Sequence, residues 1–260
     1  MRPIISVIIS TYNRSTTVTA AIKSVLAQNT NSKFEVIVVD DGSTDKTREA
    51  VSKLKKKFNN LFYIRIPHSG GPAKPRNIGV KHSKGDWVAF LDSDDTWNAS
   101  KLEKELNFAR ENDLNFVCTN ANRLVGKTRA PYFQGHANRT DISFSEVIKD
   151  NPVICSSVIV KREILLKVDC FPEHKQFTAI EDYACWLKIA LISDLCYMSE
   201  PLVEYADNPK ITIRSIWNSS KDQYRVLIPY IFRWYKSNIE LSYRYISSLV
   251  PLFLAWLRTR

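Results

Sequence analysis

The strongest constraint on this chain is an alternation. Short β-branched runs, each stopped by a polar cluster, take turns with amphipathic stretches of helical period. The runs are residues 4–9 (IISVII), 34–39 (FEVIVV), 61–66 (LFYIRI), 86–91 (DWVAFL) and 115–119 (NFVCT). Between the first two, Val18, Ala21, Ile22, Val25 and Leu26 fall on one face of a helix. Val51, Leu54 and Phe58 mark a second, lysine-coated helix. A short helix is expected around residues 76–82, and another through Leu102, Leu106 and Ala109. Apolar runs this short are buried strands, and strands alternating with helices build a mainly parallel central sheet flanked by helices.

After Asn120 the alternation weakens. Residues 121–152 read as polar and irregular, 153–160 as a strand, 161–168 as a short helix and 180–193 as a longer one. From Ile216 onward the pattern is helical, interrupted by Pro229 and Pro251. The expected organisation is one α/β domain over residues 1–209, with halves at 1–120 and 121–209, and a helical extension over 210–260.

Charge separates that extension from the body. The 260 residues carry a net charge of +10, yet residues 210–260 alone hold nine basic and two acidic side chains. They also hold ten of the 29 aromatic residues. Arg225, Arg233, Lys236, Arg244, Arg258 and Arg260 alternate with Tyr224, Tyr230, Phe232, Trp234, Tyr235 and Trp256. A basic, aromatic, amphipathic tail suits an anionic membrane surface. The competing reading is helices packed on the domain with a solvated basic face. Nucleic acid is not expected, because no recognisable nucleic-acid module accompanies the basic residues. The longest uncharged apolar stretch, residues 245–257, is 13 residues long; a spanning helix needs about 20. The first residues lack the pattern of a secretion signal. The five cysteines include no C-x-x-C pair, as expected of free thiols in a reducing compartment. A cytoplasmic protein, peripheral on the inner face of the plasma membrane, is the expectation.

In a parallel sheet, ligands bind beyond the carboxyl ends of the strands. Three polar clusters stand there: Thr11-Tyr12-Asn13-Arg14, Asp40-Asp41 and Asp92-Ser93-Asp94-Asp95. They are expected to converge on one edge. Two bare carboxylates 4 Å apart repel by ~4 kcal/mol at an effective dielectric of 20. A divalent cation relieves that repulsion, and an all-oxygen set suits Mg²⁺ or Mn²⁺ completed by water and phosphate oxygens. The competing reading is a turn followed by a helix cap. Asp40 or Asp41 can accept hydrogen bonds from a nucleobase, with Tyr12 stacked on it. Arg76, after a Gly/Pro-rich loop, can approach phosphate. Glu181-Asp182 begins a helix, where acids are favoured by the dipole alone, or supplies a general base.

Five segments, ISVIISTYNR, VIVVDDGSTDKT, GGPAKPRNIGV, WVAFLDSDD and IEDYACWLKIA, resemble in their order the motifs of family 2 glycosyltransferases with the GT-A fold. The resemblance covers about residues 4–205. It implies a nucleotide-sugar donor, a DxD-bound Mn²⁺ or Mg²⁺, and inversion at the anomeric carbon. By motif, Thr11, Tyr12 and Arg14 would line the nucleotide pocket, Asp41 or Asp40 would bind the base, and Arg76 would lie beside the nucleotide. Asp92 would approach ribose and metal, and Asp94 would ligate the metal. Asp182 would be the catalytic base, with Glu181 and Trp186 toward the acceptor. The implied reaction moves a sugar, expected from a UDP-sugar, to a saccharide acceptor, with a lipid-linked acceptor suited to the basic tail. The chain departs from the pattern at Lys74-Pro75 and at Lys188.

Two other readings compete. Residues 90–96 (FLDSDDT) also fit the hhDxDxT signature of haloacid-dehalogenase-like phosphatases, with Asp92 as nucleophile, although that motif normally ends the first strand and here ends the fourth. A non-catalytic nucleotide-binding module is the other.

Overall fold

A computed structural model of the chain describes residues 4–126, 128–133, 140–149, 151–206, 220–238 and 254. Four parallel strands form one half of a single mixed sheet. They are β1 (Ile5–Thr11), β2 (Phe34–Asp40), β3 (Leu61–Arg65) and β4 (Trp87–Asp92), in spatial order β3-β2-β1-β4. The helices between them are α1 (Val18–Leu26), α2 (Thr47–Lys55) and α3 (Ala73–His82). Alternation within the strands sorts the two faces. Ile5, Val7 and Ile9 point to a core shared with α1 and α2, whereas Ile8 points to the core under α3.

Besides the short strands and helix found within residues 121–152, a stretch expected to be irregular, the second half departs from the sequence reading in three places. The expected strand at 153–160 contains a 3-10 turn, Cys155–Ser157, and its ordered remainder pairs antiparallel to β4. Before it come β5 (Thr96–Trp97), α4 (Lys101–Glu111), β6 (Phe116–Val125), β7 (Thr128–Pro131), β8 (Thr140–Ile142) and α5 (Phe144–Val147). The remainder itself is β9 (Ile159–Lys161), wedged between β4 and β6 and antiparallel to both. After α6 (Arg162–Lys167) and α7 (Glu181–Ala190) comes β10 (Leu195–Ala206), which periodicity did not reveal. Its alternation is broken by Ser199-Glu200-Pro201, and its register against β6 shifts on either side of Pro201. Proline supplies no ladder donor there. The third departure is β5, two residues that pair with β10 directly after the acidic turn.

α4 joins α1 and α2 on one face, while α5, α6 and α7 join α3 on the other. The last described helix, α8 (Ser220–Ser237), lies on α7 through buried Leu227, Ile228, Ile231, Trp234 and Tyr235. Arg225, Arg233 and Lys236 face solvent. Part of the aromatic complement of the tail is thus committed to packing. Trp217, Arg244, Trp256, Arg258 and Arg260 lie outside the described residues. No described helix is long and apolar enough to cross a membrane. None of the five cysteines is in a disulfide, and all are buried.

Two details set how close the layers approach. At Gly79 in α3, an added Cβ would sit 2.4 Å from Ile8 Cγ2. The absence of a side chain there lets α3 lie directly on β1. In α4, Lys101 Nζ lies 2.5 Å from Glu105 Oε2, with both side chains fully buried and the ammonium 4.2 Å from the centre of the Trp97 ring. Burial pushes the Glu105 carboxyl up to about 7 and Lys101 down. Removing one partner of such a pair strands the other, at about 3–5 kcal/mol, whereas replacing both with apolar side chains is close to neutral. Urea denaturation of Lys101→Met should therefore show a loss of that order, and the double variant Lys101→Met/Glu105→Leu should recover most of it. A double variant less stable than the single one would contradict this account.

Candidate active site

The carboxyl ends of β1, β2 and β4 are brought level by register. Thr11 pairs with Asp40, and Ser10 with Asp92. The chain leaves β1 through Asn13, whose φ of +51° is a left-handed conformation that asparagine tolerates. Asn13 Oδ1 accepts Thr44 N–H at 2.8 Å, and its own N–H donates to Ser43 Oγ at 2.9 Å. Arg14 N–H donates to Thr47 Oγ1 at 2.9 Å. The DDGSTD turn is thereby tied to the TYNR turn.

The two acids of that turn separate. Asp40 is fully buried, accepting Ser43 N–H at 2.8 Å and Tyr63 O–H at 2.5 Å. Expected at the base, Asp40 is a support for the turn instead, since its carboxylate is sealed inside. The Tyr63 hydroxyl is correspondingly pushed up by burial and by that carboxylate. Asp41 reaches the other way, toward the loop after β3. Its Oδ1 accepts from Ser69 N–H at 2.8 Å and Ser69 O–H at 2.7 Å, and its Oδ2 lies 2.9 Å from His68 Nδ1. Tyr12 is at the rim, 40 % exposed, and Thr11 is buried with its hydroxyl unpartnered among the described residues.

The acids after β4 separate too. Asp95 is buried, accepting Ser156 O–H at 2.5 Å and Ala206 N–H at 2.8 Å. Asp94 is open to solvent, and the Arg14 guanidinium stands 3.5 Å away. Burial and the neighbouring Asp92 charge push the Asp94 carboxyl up, while Arg14 opposes the shift. Asp92 Oδ1 accepts from Arg76 Nη2 at 2.7 Å. Its backbone N–H donates to Ser156 Oγ at 3.0 Å, so one serine wires both ends of the turn.

Arg76 spans the site. Its second nitrogen, Nη1, donates to Glu181 Oε1 at 2.7 Å, and the guanidinium is buried, 5.5 Å from the Phe171 ring centre. It lies between two carboxylates, joining the end of β4 to the start of α7. Glu181 is 5 % exposed and its Oε2 has no partner among the described residues. Burial pushes its carboxyl up to about 7 against the pull of Arg76, and the Asp182 charge adds to the rise. Asp182 is half-buried, with Oδ1 accepting its neighbour's N–H at 2.7 Å. The chain enters α7 through Ala179 at φ +67°, a left-handed conformation that costs an alanine roughly 1–2 kcal/mol. Trp186, expected at the acceptor, is a core residue: it has no exposed surface and packs against Phe90, Phe116 and Phe171.

Glu181 also floors a cleft enclosing about 630 Å³, open mouth included, between residues 69–74 and 172–178. Lys74, His174 and Lys175 stand on its walls. Sequence reading missed this cleft, as it missed Ser156 and His68. Ser156 sits inside an apolar run and gives no local signal. His68 had only its place just past a strand's carboxyl end.

A proton on Glu181 links pH to stability. The unfolded carboxyl ionises near its ordinary 4.5 and the folded one near 7. The folded state therefore binds the extra proton between those values, a contribution complete below about 4.5 and lost as pH rises through about 7. Chemical denaturation across that range should show wild-type stability falling relative to Glu181→Gln as pH rises. A gap that instead widens in favour of wild type would mean that Arg76 holds the carboxylate below its ordinary range.

Residues 6–167 match the family described as Glycosyl transferase family 2. The chain is 34% identical over 72% of its length, and 69% of the relative's, to the UDP-Glc:alpha-D-GlcNAc-diphosphoundecaprenol beta-1,3-glucosyltransferase WfgD of Escherichia coli. It is 30% identical over 78% of its length, and 79% of the relative's, to the putative teichuronic acid biosynthesis glycosyltransferase TuaG of Bacillus subtilis. Among solved structures, a TarS fragment from S. aureus in complex with UDP-GlcNAc superposes with a TM-score of 0.72 at 27% identity, covering 89% of this chain and 65% of that one. The fold is also that of the mannosyltransferase PcManGT from Pyrobaculum calidifontis, at a TM-score of 0.62, 18% identity, and coverage of 99% and 74%.

Proposed function

The chain belongs to glycosyl transferase family 2, and on that footing we propose that it moves a sugar from a UDP-sugar to a saccharide hydroxyl, with inversion, in the building of a cell-surface polysaccharide. The observation that carries the reading is the Arg76 bridge, with Asp92 at 2.7 Å on one side and Glu181 at 2.7 Å on the other. The bridge sets the end of β4 beside the start of α7, where in this reading donor and acceptor would meet. The relatives named for UDP-glucose and the TarS complex with UDP-GlcNAc support uridine as the base.

In this reading Asp41 and Tyr12 hold the base, and Thr11 and Arg14 line the nucleotide pocket. The acceptor enters the cleft floored by Glu181. Asp182 takes the proton from the acceptor hydroxyl as that oxygen attacks the anomeric carbon from the face opposite the leaving diphosphate. A general base contributes typically ~10²–10⁴-fold. Arg76 and Glu181 hold Asp92 and the α7 start in place. The pairing of the Asp92 carboxylate with Arg76 favours this over a phosphatase in which that carboxylate would be the nucleophile.

The donor set at Asp92 and Asp94 fits a divalent cation. Two carboxylates lie close enough that Asp92 raises Asp94, and Asp94 is solvent-exposed with only a 3.5 Å contact to Arg14. Mg²⁺ or Mn²⁺ held by one or two carboxylates takes the rest of its shell from water and phosphate oxygens. Such an ion would supply Lewis-acid stabilisation of the departing diphosphate. The exposed basic face of α8 is proposed to meet anionic lipid, placing the enzyme beside a lipid-linked acceptor.

Asp182→Asn should lose transfer by at least about a hundredfold while binding UDP as wild type does in calorimetry. Loss of both together would remove Asp182 from the base role. Asp94→Ala should abolish the gain in UDP affinity that Mn²⁺ gives the wild-type protein; an unchanged Mn²⁺ titration would count against a metal there. The full chain should float with vesicles containing anionic lipid and not with neutral ones. Equal recovery from both would dismiss the electrostatic contact.

A further inference from the structure

At the base end of the rim, one side chain lies where the proposed chemistry needs space. The rings of Tyr12 and His68 stack with centroids 4.1 Å apart and planes inclined by 20°. His68 Nδ1 lies 2.9 Å from Asp41 Oδ2 and 3.0 Å from the Asp41 carbonyl oxygen. Two acceptors at that range require a hydrogen on Nδ1, so this nitrogen donates. A flat aromatic ring therefore covers Tyr12 and directs a ring N–H at the Asp41 carboxylate.

Those are the two contacts by which the site would hold a nucleobase bearing a ring N–H: a stacking face and a carboxylate acceptor. With 4.1 Å between the ring centres, no second ring fits between Tyr12 and His68. The other donors to Asp41 come from loop backbone and from Ser69: Ser69 N–H and O–H on Oδ1, and Gly70 N–H at 3.3 Å on Oδ2. His68 is the side chain at Oδ2, and an arriving base would replace it. The backbone also sets its position. Gly42, at φ +78°, lies so close that a Cβ there would meet His68 N at 2.8 Å.

We infer that His68 is a stand-in for the donor's base: it closes the base slot in the free protein and has to leave Tyr12 and Asp41 before the donor binds. The inference rests on the reading that Asp41 and Tyr12 hold the base. Its side chain is 47% exposed, so solvent lies on the outer side of the ring and gives it a way out. Occupancy by His68 lowers the apparent donor affinity by the fraction of molecules in which the slot is open.

Calorimetry of UDP binding to the full chain with Mn²⁺ tests this. If the slot is open in about a tenth of molecules, His68→Ala should bind UDP about tenfold tighter than wild type. His68→Asn, too short to stack on Tyr12, should shift the same way and guards against a folding defect in the alanine variant. Inorganic pyrophosphate, which lacks a base, should bind both variants as it binds wild type. UDP affinity that is unchanged or weaker in both variants would overturn the inference, as would an equal gain for pyrophosphate. Tyr12→Ala and Asp41→Asn test the reading beneath it. If both lose UDP affinity and the His68 variants gain none, only the stand-in fails. If neither loses affinity, the base assignment itself fails.

Discussion

The site depends on one buried cation. The Arg76 guanidinium donates to Asp92 and to Glu181, each at 2.7 Å, and no other described link joins the end of β4 to the start of α7 through paired charges. Its own burial is tolerable because two carboxylates neutralise it. Glu181, buried beside it, is compensated in the same way. The three groups act together: without Arg76 the two acids would face each other unpaired, with Glu181 buried. What the bridge secures is geometry. One half of the sheet supplies the rim acids, the other half supplies α7, and Arg76 fixes the distance between them.

A second regularity is that neighbouring acids take opposite roles. Asp40 is sealed by Ser43 and Tyr63, while Asp41 turns to the rim. Asp95 anchors Ser156 and the end of β10, while Asp94 faces solvent. Glu181 is buried on Arg76, while Asp182 is half-exposed. In the second and third pairs one carboxylate shapes the backbone and the other meets solvent, whereas Asp41 is nearly as buried as Asp40 and differs in facing the loop after β3. The repulsion expected among the clustered acids is thus relieved first by divergence. What repulsion remains still shows: Asp92 raises both Asp94 and Asp95, and Asp182 raises Glu181.

Much of this was legible in the sequence. β1, β2 and β4 follow from their apolar runs, because strands buried on both faces leave an unmistakable one, and α1 and α2 follow from hydrophobic period. Convergence of the three polar clusters follows from parallel order. The second half was less legible for physical reasons. β10 carries a proline and two register shifts, so its alternation is lost, and its partner β6 is distant in sequence. β9 lies in an apolar segment whose direction in the sheet no local pattern encodes. Within the site, the chemistry of each residue was readable but its partner was not. Arg76 looked like a phosphate ligand because nothing in its neighbourhood announces carboxylates from positions 92 and 181. Its motif places Trp186 at the acceptor, although its own position on the helix faces the core.

Gly79 carries a consequence for how such a chain can drift. It lies three residues after Arg76 on the same helix, and its missing side chain is what seats that helix against Ile8. A methyl group there would lift the helix and carry the guanidinium away from both carboxylates. Mutational tolerance at a position with no ligand contact would then be dictated by turnover as much as by folding, and selection would guard it as closely as any residue at the rim.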